Sequence, residues 1–156
     1  MGYELEAVIA DGGLLAEATR EIADAVLVPL GYRGLSLLPI TDEFFDSVAD
    51  GSPSGALGLR RIPGGFTSVL ADWSRGGPLA YVEADFFGGV GSQRAAVWAD
   101  SRLVLGPLRV AENEPFGMRS PISQALLWLG VVARNGEDEF ATVGLGRHRH
   151  TEDWAS

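Results

Sequence analysis

The chain reads as an α+β domain, a largely antiparallel sheet built from a hairpin plus a β-meander with helices packed on one face. Three observations carry that expectation. Runs of strand-like sequence, LAYVEADFF, SQRAAVWAD and RLVLGPL, follow one another with only turn residues between them. Helical periodicity is confined to separate segments, each opened by a capping residue. Strands and helices are grouped in runs, which favours α+β over alternating α/β.

The elements follow in order. YELEAVIA (3–10) is a strand, with Leu5, Ala7 and Ile9 alternating with Glu4, Glu6 and Val8. Asp11 caps a helix whose apolar face is Leu14, Leu15, Ala18 and Ile22. AVLVPL (25–30) and LSLLPI (35–40), joined through GYRG, form a hairpin. Thr41 caps a second helix, with Asp42 and Glu43 in its first turn and Phe44, Phe45 and Val48 on its apolar side. DGSPSGALG (50–58) is a loop. GFTSVLADWSR is a helix, with Phe66, Val69, Leu70 and Trp73 spaced for one face. The meander follows, its second turn at Asp100-Ser101. AENEPFGM (111–118) is an acidic loop. Ser120 and Pro121 start a helix carrying Ile122, Ala125, Leu126 and Leu129, which Gly130 ends. NGEDEF (135–140) turns into a short helix, and residues 147–156 form a polar C-terminal tail that Trp154 ties down.

At 156 residues the chain is expected to be a single domain, 1–156, long enough to bury a core without cross-links. It has no cysteine, so disulfides and cysteine-ligated metals are excluded, and a reducing cytoplasm is the expected setting. The first residues lack a basic stretch and a long apolar run, so no secretory signal is read there. No segment reaches the roughly 20 apolar residues that cross a bilayer, so no membrane partner is expected.

The formal charge is -9, and all twelve basic residues are arginine. Such a chain repels phosphate backbones, which argues against nucleic acid as a partner. The lack of lysine excludes Schiff-base chemistry and a P-loop lysine. The run FFGGVGSQ contains Gly88, Gly89 and Gly91, but Arg94 stands where a dinucleotide loop needs its third glycine. The run is therefore read as a glycine hairpin rather than a ligand loop. No cofactor is expected.

Candidate site residues fall in three groups. Tyr81, Glu83 and Asp85 share one face of a strand. Glu83 and Asp85, with Glu112, Glu114, Glu137, Asp138 and Glu139, make up the acidic residues that would meet a basic partner. His148 and His150, spaced to point the same way in an extended segment, are candidate metal ligands with a nearby carboxylate, although Arg147 and Arg149 interleave with them. Trp98 and Trp128 would line a small-molecule pocket between meander and helix. No hydrolase or metalloprotease signature is present.

YVEADFFGGVGSQ, SPISQALLWLGV and DEFATVGLGRHRHTEDW, which together span roughly residues 80 to 154, resemble small, acidic, uncharacterised bacterial proteins, some of the immunity type found in polymorphic-toxin systems. The resemblance transfers no functional residue. A compact acidic domain is steered toward a cationic surface, so the leading expectation is a binding module, immunity-type or regulatory, that masks a basic partner such as a toxin. The alternatives are a small metal-dependent enzyme using the two histidines, or a small-molecule binder.

Overall fold

The computed structural model describes residues 2–87, 90–110 and 120–156. Among the described residues six strands form one sheet: β1 (Tyr3–Asp11), β2 (Val28–Pro29), β3 (Leu35–Pro39), β4 (Leu79–Phe87), β5 (Val90–Ala99) and β6 (Arg102–Val110). Their order is β2-β3-β1-β4-β5-β6, and every pairing is antiparallel. The helices are α1 (Gly12–Ala18), α2 (Asp42–Val48), α3 (Phe66–Trp73), α4 (Pro121–Trp128) and α5 (Glu139–Thr142).

The expected caps are in place. The Asp11 carboxylate accepts from Leu14 N at 3.1 Å, the Thr41 hydroxyl from Phe44 N at 3.1 Å, and Ser120 from Ser123 N at 3.2 Å. Each satisfies an amide that the first helical turn leaves without an intrahelical partner. Asp100 and Ser101 take φ of 51° and 66°, the left-handed pair that a two-residue hairpin needs between β5 and β6. The first hairpin is shorter than expected, since only Val28 and Pro29 pair with β3.

The antiparallel α+β class holds, but the helices expected on one face divide between both. Leu5, Ala7, Ile9, Val82, Ala95 and Val97 pack against Ile122, Ala125 and Leu126 of α4 and Val143 beyond α5. On the opposite face Val8, Ala10, Tyr81, Ala96 and Trp98 pack against Leu15, Phe44, Phe66 and Leu70 from α1, α2 and α3. The physical reason lies in the central strands. Positions 5–10 of β1 and 79–84 of β4 are all buried, whichever way the side chain points, and a strand covered on both faces needs apolar side chains at both parities. Phe66 meets both Phe44 and Trp73 edge-on, at centroid distances of 5.8 and 5.5 Å, closing the α2–α3 layer.

Gly91 of the glycine run lies in β5 opposite Phe86. A Cβ there would run into the Phe86 ring, so this glycine is required by a cross-strand aromatic. Gly88 and Gly89 lie outside the described residues.

The C-terminal segment is no free tail. Thr151–Ala155 form a 3-10 turn, and Trp154 is buried in the α4–α5 core. No helix among the described residues is long and apolar enough to cross a membrane.

Candidate functional site

Polar side chains gather on the α1–α3 face at the end of the sheet where β1 begins. Register explains why. Glu6 lies opposite Glu83 and Glu4 opposite Asp85, while Glu83 lies opposite Arg94, which lies opposite Arg109. Directly opposed side chains on adjacent strands share a face, so two antiparallel strands bring four carboxylates together beside two guanidinium groups.

Opposed like charges destabilise a sheet unless they are answered, and Glu6 and Glu83 are answered differently. Glu83 is buried, and its two oxygens accept from consecutive amides, Arg60 N and Arg61 N, each at 2.7 Å. The buried Tyr81 hydroxyl donates to the same carboxylate at 2.9 Å. Burial, and next the charge of Glu83, push the Tyr81 hydroxyl well above its ordinary pKa, which keeps it a donor. Glu83 is thus the anchor that fixes the loop before α3 and seats Leu59 and Ile62 in the core.

Glu6 has no such set of donors. Its carboxylate takes the Thr151 hydroxyl at 3.3 Å and stands 3.8 Å from Arg61 Nε. Burial first, then a hydrogen bond and charge from Glu4, raise its pKa to about 8, with Arg61 opposing and Glu83 adding to the rise. At neutral pH Glu6 mostly carries a proton, so one of the two opposed acids is uncharged.

Above these residues lie two adjoining hollows. One, of about 180 Å³, is lined by Glu4, Glu6, Ile40, Asp42, Arg61, Thr151 and Glu152. The other, of about 510 Å³, is lined by Asp42, Phe45, Asp46, Ser54, Arg60 and Arg61. Asp42 and Arg61 belong to both, and they pair with each other at 3.0 Å. Arg61 also lies over the Phe45 ring, 5.8 Å from its centroid, and Arg60 pairs with Asp85 at 3.2 Å. The groove therefore presents carboxylates with their nearest cations already engaged.

The sequence-derived acidic residues are dispersed. Glu83 is buried under its loop, whereas Asp85 is half exposed beside Arg60. Glu137, Asp138 and Glu139 belong to the opposite face: Asp138 caps α5 through Ala141 N, Glu137 accepts from Thr142 at 3.2 Å, and Glu139 is buried. Glu112 and Glu114 lie outside the described residues. The groove residues Glu4, Glu6, Asp42, Asp46 and Glu152 carried no local signal, because register and a C-terminal contact bring them together across the length of the chain.

The two alternative sites do not assemble. His148 packs edge-on against Trp154 at 4.8 Å, and His150 is exposed and paired through its backbone with Glu4. Among the described residues no three of His, Cys, Asp or Glu are placed to hold a metal ion. Trp98 is buried in the α2–α3 core, whereas Trp128 is half exposed on α4 across the sheet, so the two share no pocket.

Comparison with protein-family models, curated proteins and solved structures finds no match to this chain.

Proposed function

We propose that this protein is an acidic protein-binding module of the cytoplasm, immunity-type or regulatory, that masks a basic surface of its partner. The observation that carries the reading is the groove: the carboxylates of Glu4, Asp42, Asp46 and Glu152 beside a largely protonated Glu6, with the two guanidinium groups, Arg60 and Arg61, already paired to Asp85 and Asp42. The chain's charge of -9 adds a long-range field that steers a cationic partner toward it. The groove has the character of a docking surface: its walls come from a strand, a helix, a loop and the C-terminal turn, and Phe45 contributes an aromatic floor. Asp85, at the exposed end of β4, extends the acidic rim.

Complementary charge of this kind acts mainly on association rate and partner choice. The test is capture from native lysate at low salt, with an Asp42→Asn, Asp46→Asn chain in parallel. One stoichiometric basic protein that the wild type retains and the double variant loses supports the reading. A chain that captures no stoichiometric partner, or one indifferent to the two aspartates, refutes it. A toxin gene immediately beside this one would name the partner class.

A further inference from the structure

The strand β1 is flanked by β4 along Tyr3–Ala10, but β3 accompanies it only from Ala7 onward. Ile40, just past β3, donates to Glu6 O at 2.9 Å, and the edge of β1 before that point, with the Glu6 amide, is left to the C-terminal segment. Glu4 N donates to Arg149 O at 2.8 Å, Glu4 pairs with His150 in a parallel bridge, and Glu6 N donates to the Thr151 hydroxyl at 3.0 Å. The segment then straddles the sheet. Glu152 accepts from Asp42 N at 2.9 Å on the groove side, while Trp154 is buried on the other. Arg147 reaches the carbonyls of Pro29 and Leu30, both at 3.3 Å.

We propose that residues 147–155 are a displaceable strap, holding an edge of β1 and the mouth of the acidic groove that an extended basic segment of the partner occupies in its place. The inference rests on the groove being a partner-docking surface, and it names how that surface is guarded. Three features support it. First, the residues that meet β1 begin with RHRH, the most basic run in the chain, yet this run holds Glu4 through backbone alone, Arg149 makes no ion pair with a described carboxylate, and the Glu4 carboxylate receives from the strap only the Thr151 amide and hydroxyl, at 3.4 and 3.5 Å. A basic segment that pairs by charge with Glu4 and Asp42 has more to gain there than the strap has. Second, the anchor is imperfect: the buried Trp154 indole N–H has no protein acceptor among the described residues. Third, the strap lies on a titrating group. Glu6 is faced by Glu4 on its own strand, Glu83 on β4, Asp42 on α2, Arg61 in the loop, and Thr151 and Glu152 on the strap. Ionisation of Glu6 adds a negative charge beside Glu4 and Glu152, with Arg61 the cation nearest to it, and so loosens the strap as pH rises toward 8.

Native-state hydrogen exchange tests this without any partner, so its outcome is independent of whether the capture experiment succeeds. In the closed protein the amides of Glu4, Glu6 and Asp42 exchange through a local opening, less protected than the Val8–Ala10 ladder. After correction for intrinsic rates, their protection falls between pH 6 and pH 9, and Glu6→Gln abolishes that fall. Equal protection of these amides and the ladder, at every pH, overturns the proposal. As a second arm, a synthetic octa-arginine peptide, an extended basic segment, is titrated into wild type and into Trp154→Ala. A strap closed nine-tenths of the time lowers apparent affinity about ten-fold, so the variant binds about ten-fold more tightly. Equal affinity for a folded variant and the wild type counts against displacement. If the variant does not fold, the exchange experiment decides alone.

Discussion

Replacing Glu6 with glutamine tests the electrostatics of the groove most sharply, because it keeps the shape and hydrogen-bonding capacity of a protonated carboxyl while removing its titration. The folded-state pKa of Glu6 is raised from 4.5 to about 8. Between those values the folded chain holds a proton that the unfolded chain has lost, so wild-type stability falls as pH rises across this window and levels off above it. Each unit is worth about 1.4 kcal/mol. From pH 5 to pH 8 the linkage amounts to about 3 kcal/mol at full effect. Urea denaturation of both chains at half-unit steps gives the difference directly, since other titrations cancel between them. The expected result is near equality at pH 5 and a glutamine variant more stable by about 2–3 kcal/mol at pH 8. Parallel pH profiles for the two chains would refute the reasoning, as would a wild type that gains stability relative to the variant over this range.

Two further outcomes follow from the same geometry. Glu83→Ala strips the acceptor from the half-buried Arg60 and Arg61 amides and from the buried Tyr81 hydroxyl. It should lower stability by about 3 kcal/mol in urea melts and make the 50–58 loop an early site of limited proteolysis. Gly91→Ala places a methyl against the Phe86 ring and should cost about 1–3 kcal/mol, whereas Gly146→Ala, whose Cβ meets nothing, leaves the melting temperature close to wild type.

Much of the fold was legible because it is written locally. Asp11, Thr41 and Ser120 announce their helices, and Asp100-Ser101 announces its turn, through hydrogen bonds and backbone angles set by a few neighbouring residues. The division of helices over two faces was less legible, though a signal exists: AVIA in β1 and LAYV in β4 are apolar at consecutive positions, which an alternating reading overlooks. The groove was not legible at all. Glu6 meets Glu83 through strand register, and Glu4 meets Thr151 through the return of the C-terminus. Charge composition marks the chain as acidic, but Glu83, selected as a partner-facing carboxylate, is buried as a loop anchor. Its partners, the amides of Arg60 and Arg61, are backbone groups that no side-chain pattern encodes.

The central claim, an acidic groove that recruits a basic partner by charge, is tested most directly by the association rate of the captured partner measured against ionic strength. Steering predicts a rate that falls about ten-fold or more between 20 and 200 mM salt and a flatter dependence for Asp42→Asn, Asp46→Asn. A rate that is independent of salt, and unchanged by those two substitutions, would contradict the account.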